Sequence, residues 1–387
     1  MTHPLIRKYY EDFYFDEIIN NGFHLQYWDL SSIYYSDLQI PDAIEDDYIF
    51  KINSIKEFER KVCEEKSDKT LFVSQMTYEW SVLKIFRVLS KYNCITTVLS
   101  RGALPIPERS VSNFLKKNNI KEIFDKIYKY TKSKVPYFLK KIGYIKPYTF
   151  IFTAGYKGIG GIGVGYDMDL KYSKIIQLNS FDYDKFLEIN NKEYSPISNK
   201  YCVFLDEYLP YHPDWDILNY GKVDPVEYYR TMNVFFEKIE VRFGVRVIIA
   251  THPKADYKTN PYDNRELHKY DTARLVKDAE FTMAHMSSSI NFAVLFKKKV
   301  LLLITEEYKN VYKNSSYLMS QSFANSLNET LINCNQDFPE NIDISKIDYD
   351  KYQKYKYNFL TSFESESKKS SKIIIDFLKK FPEYIIT

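Results

Sequence analysis

The sequence predicts an α/β chain of two Rossmann-like domains, each on a parallel sheet, and three observations carry that prediction. Its 387 residues exceed what a single hydrophobic core ordinarily serves. Apolar runs alternate with amphipathic segments in a β–α–β rhythm, which implies parallel strands because each intervening helix returns the chain to the same end of the sheet. The rhythm breaks over a polar stretch, Lys192 to Asn199, that contains Ser195-Pro196 and reads as a linker. The expected division is 1–195 for an N-terminal domain, 196–345 for a C-terminal domain and 346–387 for a helical region packing back across both.

In the first half, Thr70 to Ser74 reads as a buried strand, Tyr78 to Tyr92 as a helix and Cys94 to Ser100 as the next strand, followed by the polar loop Arg101 to Arg109. From Val111 to Pro147 the pattern is helical and carries ten lysines against Glu122 and Asp125. Interleaved Phe, Ile, Leu and Tyr leave two readings, a solvated helical hairpin or a surface that lies on anionic membrane. Tyr148 to Thr153 is a further strand, and six of the eleven glycines follow it: Gly155, Gly158, Gly160, Gly161, Gly163 and Gly165. Such clustering requires backbone to pass close to something. The segment lacks the Lys-Ser/Thr ending of a phosphate-binding P-loop, and Tyr166-Asp-Met-Asp after it is no apolar helix, so dinucleotide binding is not expected. A flexible loop above the first sheet, with Gly155 near donor or acceptor, is the preferred reading.

In the second half, Tyr201 to Leu205 is a short apolar strand, and Pro225 to Phe243 is an amphipathic helix with Asp224 as N-cap. Val245 to Ala250, Glu280 to Ala284 and Val300 to Ile304 are strands, while Thr272 to Ala279 and Ser287 to Phe296 are helices. Tyr349 to Phe381 reads as an interrupted helical region.

Composition narrows the function. With 54 basic and 51 acidic residues the net charge is +3, too small for a nucleic-acid binder by bulk electrostatics. The 36 tyrosines and 27 phenylalanines read mostly as core and surface filler. Cys63, Cys94, Cys202 and Cys334 show neither metal-ligand nor CxxC spacing, which suits a reducing compartment. The N-terminal residues carry acids where a signal peptide is apolar, and no run of about 18 apolar residues occurs. A cytoplasmic protein, peripheral on the inner membrane face if the basic segment binds lipid, is expected. HExxH and paired-Cys patterns are absent, so neither a metal nor a cofactor is expected.

Open α/β sheets bind ligands at the carboxyl ends of their strands, so polar residues there are informative. Asp206-Glu207 follow the first strand of the second half, His252-Pro253 the second, and Ser287-Ser288-Ser289 the strand Glu280 to Ala284. A carboxylate can take a proton from an attacking hydroxyl, and only one of the adjacent pair would face the cleft. Imidazole can donate to a leaving phosphate. Serines at a helix N-terminus can hold that phosphate with hydroxyls and backbone N–H groups. Each has an ordinary alternative as a turn acid, a loop histidine or a helix cap.

Together, Asp206-Glu207, His252-Pro253 and Ser287-Ser288 resemble the acidic-pair, HP and SS motifs of GT-B bacterial sialyltransferases and polysialyltransferases, shared with capsule and O-antigen transferases of related CMP-activated sugars. The resemblance covers about residues 200–305. It implies the two-domain GT-B architecture and an inverting, metal-independent glycosyltransferase moving a sialic-acid-like nonulosonate or Kdo from a CMP donor to a glycan or lipid-linked glycan. It also implies Glu207 or Asp206 as general base, His252 as assistant to the leaving phosphate, and Ser287 and Ser288 as phosphate ligands. Pro253, Lys254 and Ser289 join the substrate contacts, and Asp271 is a candidate for the donor ribose or simply an N-cap. Tyr208 stands where the polysialyltransferase pattern has glycine, and His212-Pro213 is a second HP. Two other readings use the same motifs: a teichoic-acid-type polyol-phosphate transferase with a CDP-linked donor, and a non-catalytic partner in a polysaccharide assembly complex.

Overall fold

Strands in the computed structural model follow the apolar runs, and every paired strand is parallel to its neighbour. The structure describes residues 1–35, 43–105, 135–162, 167–193, 199–212, 223–311 and 315–381. In chain order the strands are β1 (Tyr27–Asp29), β2 (Ile49–Lys51), β3 (Leu71–Val73), β4 (Ile95–Ser100), β5 (Phe150–Ala154), β6 (Lys174–Leu178), β7 (Tyr201–Leu205), β8 (Arg246–Thr251), β9 (Leu267–Lys269), β10 (Phe281–Ala284), β11 (Lys299–Ile304) and β12 (Leu331–Asn333).

Two compact units result. Unit 1 is built from Met1–Ala103, the described residues from 135 to Phe181 and those from Thr361 on; unit 2 is built on Asp182–Leu360, with Leu104 and Pro105. The first division falls ahead of the linker read from sequence because the helix Phe181–Ile189 joins unit 2: Phe186 packs on Phe296 at 5.1 Å, and Asn291 Nδ2 donates to Asp182 at 2.7 Å. Ser195-Pro196 lie outside the described residues. The C-terminal region likewise serves both units: the helix Tyr349–Tyr355 and the π-turn Lys356–Leu360 belong to unit 2, and the helix Ser370–Lys380 belongs to unit 1.

Unit 1 carries the sheet β3-β4-β5-β6, with β1 and β2 paired separately. All of β5 is buried, as a strand covered on both faces must be. Ile151 points into a core with Phe58, Val62, Ile85, Phe86 and Leu89, while Phe150 and Phe152 point oppositely onto Phe377 and Ile374. A buried ion pair lies beneath this sheet's helices. Lys140 Nζ donates to Asp169, whose Oδ1 also accepts from Tyr148 N at 2.8 Å and Tyr78 Oη at 3.2 Å. Lys140, a member of the basic segment, is interior, so its charge is no part of an exposed basic face. Val111 to Lys134 of that basic segment lie outside the described residues.

Unit 2 carries six strands in the order β12-β11-β10-β7-β8-β9. The chain starts at central β7, moves out through β8 to β9, then crosses to β10 on the other side and continues to β12. The crevice between β7 and β10 is therefore the topological switch point, where such sheets bind ligands. The helix Pro225–Phe243 begins as its sequence dictates: Asp224 Oδ1 accepts from Val226 N and Glu227 N at 2.9 and 3.2 Å, and Gly244 ends it with φ of 62°.

Candidate functional site

Every polar group singled out in the second half sits at the carboxyl edge of the unit 2 sheet. Pairing of β7 with β8 runs one residue past the strand, because Asp206 N donates to Ala250 O at 3.0 Å. Asp206 is buried, and its carboxylate is fully occupied. Oδ1 accepts from Tyr208 N and Tyr262 Oη, both at 2.9 Å, and Oδ2 accepts from Tyr257 Oη at 2.8 Å. Burial raises its pKa, and these donors together with the backbone N–H of His252 oppose that rise.

Glu207 is different. Oε1 accepts from Met286 N at 2.6 Å, which ties the end of β7 to the loop after β10 across the switch point. Oε2 takes no hydrogen bond from the described residues. Glu207 is half-buried. Burial, with a smaller push from Asp206, raises its pKa to about 8 against the opposing pull of Met286 N.

His252 follows β8 in a tight turn closed by Ala255 N donating to His252 O at 2.8 Å. Its Nδ1 accepts from Lys254 N at 3.1 Å, so the neutral ring carries its proton on Nε2. The second histidine of the sequence, His212, is brought against it: the rings are 4.9 Å apart and inclined at 64°. Pro213 lies outside the described residues, and Pro253 and Lys254 are exposed.

The serines depart from expectation. The helix after β10 runs Ile290–Leu295, so Ser287 and Ser288 precede it in a turn and Ser289 is its N-cap residue without a side-chain cap bond. Ser287 Oγ accepts from Ser289 N at 3.2 Å, and Ser287 O and Ser288 O accept from Ile290 N and Asn291 N at 3.1 and 3.0 Å. Hydroxyl competition for nearby N–H groups thus delays the helix by three residues relative to the predicted start. Asp271 occupies the N-cap position of the helix Thr272–Asp278 but makes no cap bond; it pairs with Arg274 at 3.2 Å instead.

Gly155 belongs to unit 1, at the carboxyl end of β5, with φ of 70°. The glycines after it form a 3₁₀ turn, Gly158–Ile162, rather than a free loop. A Cβ on Gly158 would stand 2.3 Å from Thr153 Oγ1, and Ser100 Oγ donates to Gly158 O at 2.6 Å. The close approach implied by the glycine cluster is therefore the neighbouring strand end itself. Gly163 and Gly165 lie outside the described residues.

Several residues went unread. Tyr257 and Tyr262 reach Asp206 from the loop after β8, and their only sequence signal is density of tyrosine. His285, directly after β10, is buried; Nδ1 donates to Leu303 O at 2.9 Å and Nε2 accepts from Tyr228 Oη at 3.0 Å. Burial pushes its pKa down to about 4, so it is a neutral brace for the Met286 loop. Among the described residues no three His, Cys, Asp or Glu side chains gather in a way that would hold a metal ion. No described helix is long and apolar enough to cross a membrane.

No family model and no curated protein matches the chain. Among solved structures it is similar to CalG4, the calicheamicin glycosyltransferase, at 8% identity and TM-score 0.49, covering 96% of this chain and 94% of that one. It is also similar to the wall teichoic acid polymerase TagF at 11% identity and TM-score 0.45, covering 96% and 84%. The UDP-GlcNAc 2-epimerase from Methanocaldococcus jannaschii matches at 13% identity and TM-score 0.41, covering 94% of each chain. At such low identities and scores these likenesses transfer no residue roles to this chain.

Proposed function

We propose that the chain is an inverting, metal-independent glycosyltransferase of the GT-B class, with Glu207 as general base and a CMP-activated acidic sugar as donor. The observation that carries this is Glu207 itself: a half-buried carboxyl at the switch point, one oxygen fixed by Met286 N at 2.6 Å, the other open, with a pKa raised to about 8. A base is most effective when its pKa lies near the working pH. Asp206 is unsuited to the role because both its oxygens already accept hydrogen bonds.

In the proposed step Glu207 Oε2 accepts the acceptor hydroxyl's proton as that oxygen bonds to the anomeric carbon. The bond from that carbon to the phosphate oxygen breaks, and its electron pair leaves with CMP. His252 Nε2–H donates to the departing phosphate, while Ser287 and Ser288, together with Ser289, Pro253 and Lys254, line its site. Asp271 and Gly155 remain candidates for donor or acceptor contacts, and no cofactor takes part. The acceptor is a glycan or lipid-linked glycan. Peripheral membrane contact fits the exposed Phe138, Ile142 and Tyr144 at the described end of the basic segment.

A donor screen tests the assignment by measuring free nucleotide released from CMP-sialic acid, CMP-Kdo and CDP-glycerol, with and without glycan acceptors. CMP release that depends on acceptor supports it. Release from CDP-glycerol alone moves the chain to polyol-phosphate transfer, and binding without release from any donor leaves a non-catalytic partner.

A further inference from the structure

A cavity that the transfer step leaves unused shares two of its lining residues, Tyr208 and Tyr257, with the hydrogen-bond partners of Asp206. About 480 Å³ in volume, it is walled by Tyr208, Tyr211, Tyr229 and Tyr257, with Asp256 and Lys258 at its edge. That volume is ordinary for a small-molecule site, which typically runs about 300–1,000 Å³. Tyr257 stands nearly perpendicular to Tyr208 at 81° and to Tyr229 at 78°, while Tyr211 lies closer to parallel with Tyr229 at 30°, so the rings form a box with walls of differing orientation. Tyr208 and Tyr257 are both held by Asp206, through Tyr208 N and Tyr257 Oη.

Tyr208 carries the decisive detail. Its φ of 55° and ψ of 35° are left-handed, a conformation that glycine adopts without strain and a tyrosine only at a cost. A bulky side chain kept on such backbone, directly after Glu207, points to use of the ring itself. Lys258 pairs with Asp256 at 2.7 Å, so the edge carries no net charge for a phosphate. Flat aromatic faces suit the C–H face of a pyranose, and the polar edge suits its hydroxyls.

We propose that this box binds a neutral pyranose of the acceptor glycan, with Tyr208 and Tyr211 as specificity-determining walls and Asp206 as the residue that positions Tyr208 and Tyr257. The proposal rests on the transferase reading for the word acceptor, but sugar binding is measurable without turnover. The probes are methyl glycopyranosides of hexoses and N-acetylhexosamines and their short oligomers, read by saturation-transfer NMR, with CMP titrated separately by calorimetry. Tyr208→Gly, which relieves the backbone, and Tyr211→Ala, at a half-exposed position, should each weaken sugar binding by about tenfold. CMP affinity should stay as in the parent protein, and neither variant should unfold. If no donor is turned over but the sugars bind and the variants lose them, the box stands and the transferase reading falls. Absence of sugar binding to the parent protein, or unchanged binding in both variants, overturns the proposal. Loss of CMP affinity in either variant also overturns it, making the box a nucleobase site.

Discussion

In unit 1 the buried Asp169 meets a buried cation, Lys140, and two further donors, whereas in unit 2 the adjacent carboxyls of Asp206 and Glu207 meet no cation among the described residues. Burying a charge is costly unless it is paired, and unit 1 follows that rule. Unit 2 satisfies Asp206 with four neutral donors and leaves Glu207 with one, so its carboxyl is pushed up to about 8. On the proposed reading, the difference separates a group that holds the fold from one that takes the acceptor's proton. Desolvation without compensation is tolerable at one position in a sheet of this size, and it sits at the switch point.

The largest effect expected from breaking this contrast is at Glu207. Glu207→Gln should lower transfer by about 10²–10⁴-fold while CMP binding persists. The same change should raise stability. A carboxyl whose pKa climbs from 4.5 unfolded to about 8 folded holds its proton in the native state while the unfolded chain releases it. Stability is thus lost as pH rises through that window, and the amide escapes the loss. Melting curves should show Glu207→Gln gaining more over the parent at pH 8 than at pH 5, and an equal or opposite response removes the shifted carboxyl. Asp206→Asn should instead lose stability, since one carboxylate oxygen becomes an amide nitrogen that cannot accept the hydrogen bond Oδ2 takes from Tyr257 Oη.

On the unit 1 side, Lys140→Met leaves Asp169 buried without its cation, a loss of about 3–5 kcal/mol. Urea unfolding measures it, and a loss no larger than that of a surface ion pair would place the pair in solvent. The smallest effect concerns the glycine turn. Gly158→Ala drives a methyl toward Thr153 Oγ1 and should cost about 1–3 kcal/mol. Thr153→Ala in the same chain removes the obstructing atom, which has no hydrogen-bond partner of its own, and should restore most of the stability. Failure of that rescue in thermal melts would place the close contact elsewhere.

The sequence made some of this readable and some not, for local reasons. β7 and the helix Pro225–Phe243 lie where predicted because a five-residue apolar run, an Asp cap and a terminal Gly are signals contained in neighbouring residues. The three-residue strands β1, β2, β9 and β12 hold too few residues to show a period. The carboxyl-edge placement of Glu207, His252 and the serines followed from strand ends alone. Which acid is free did not, because the tyrosines that occupy Asp206 come from 51 and 56 residues away. The start of the serine helix was misplaced because hydroxyls that favour a cap also favour the turn before it.

The helix Ser370–Lys380 completes unit 1: Phe377 packs on Phe150 and Phe152 at 5.1 and 4.9 Å, and Arg101 reaches Ser370 Oγ at 3.3 Å. On the ribosome this inverts the order of assembly. The strands of unit 1 emerge first but lack the wall that covers β5, while unit 2 has all its residues from Asp182 to Leu360 before that wall is made. At about 5–20 residues per second the interval is roughly 10–40 s. During it one face of the first sheet stays uncovered, a window in which a nascent-chain holdase would find its substrate.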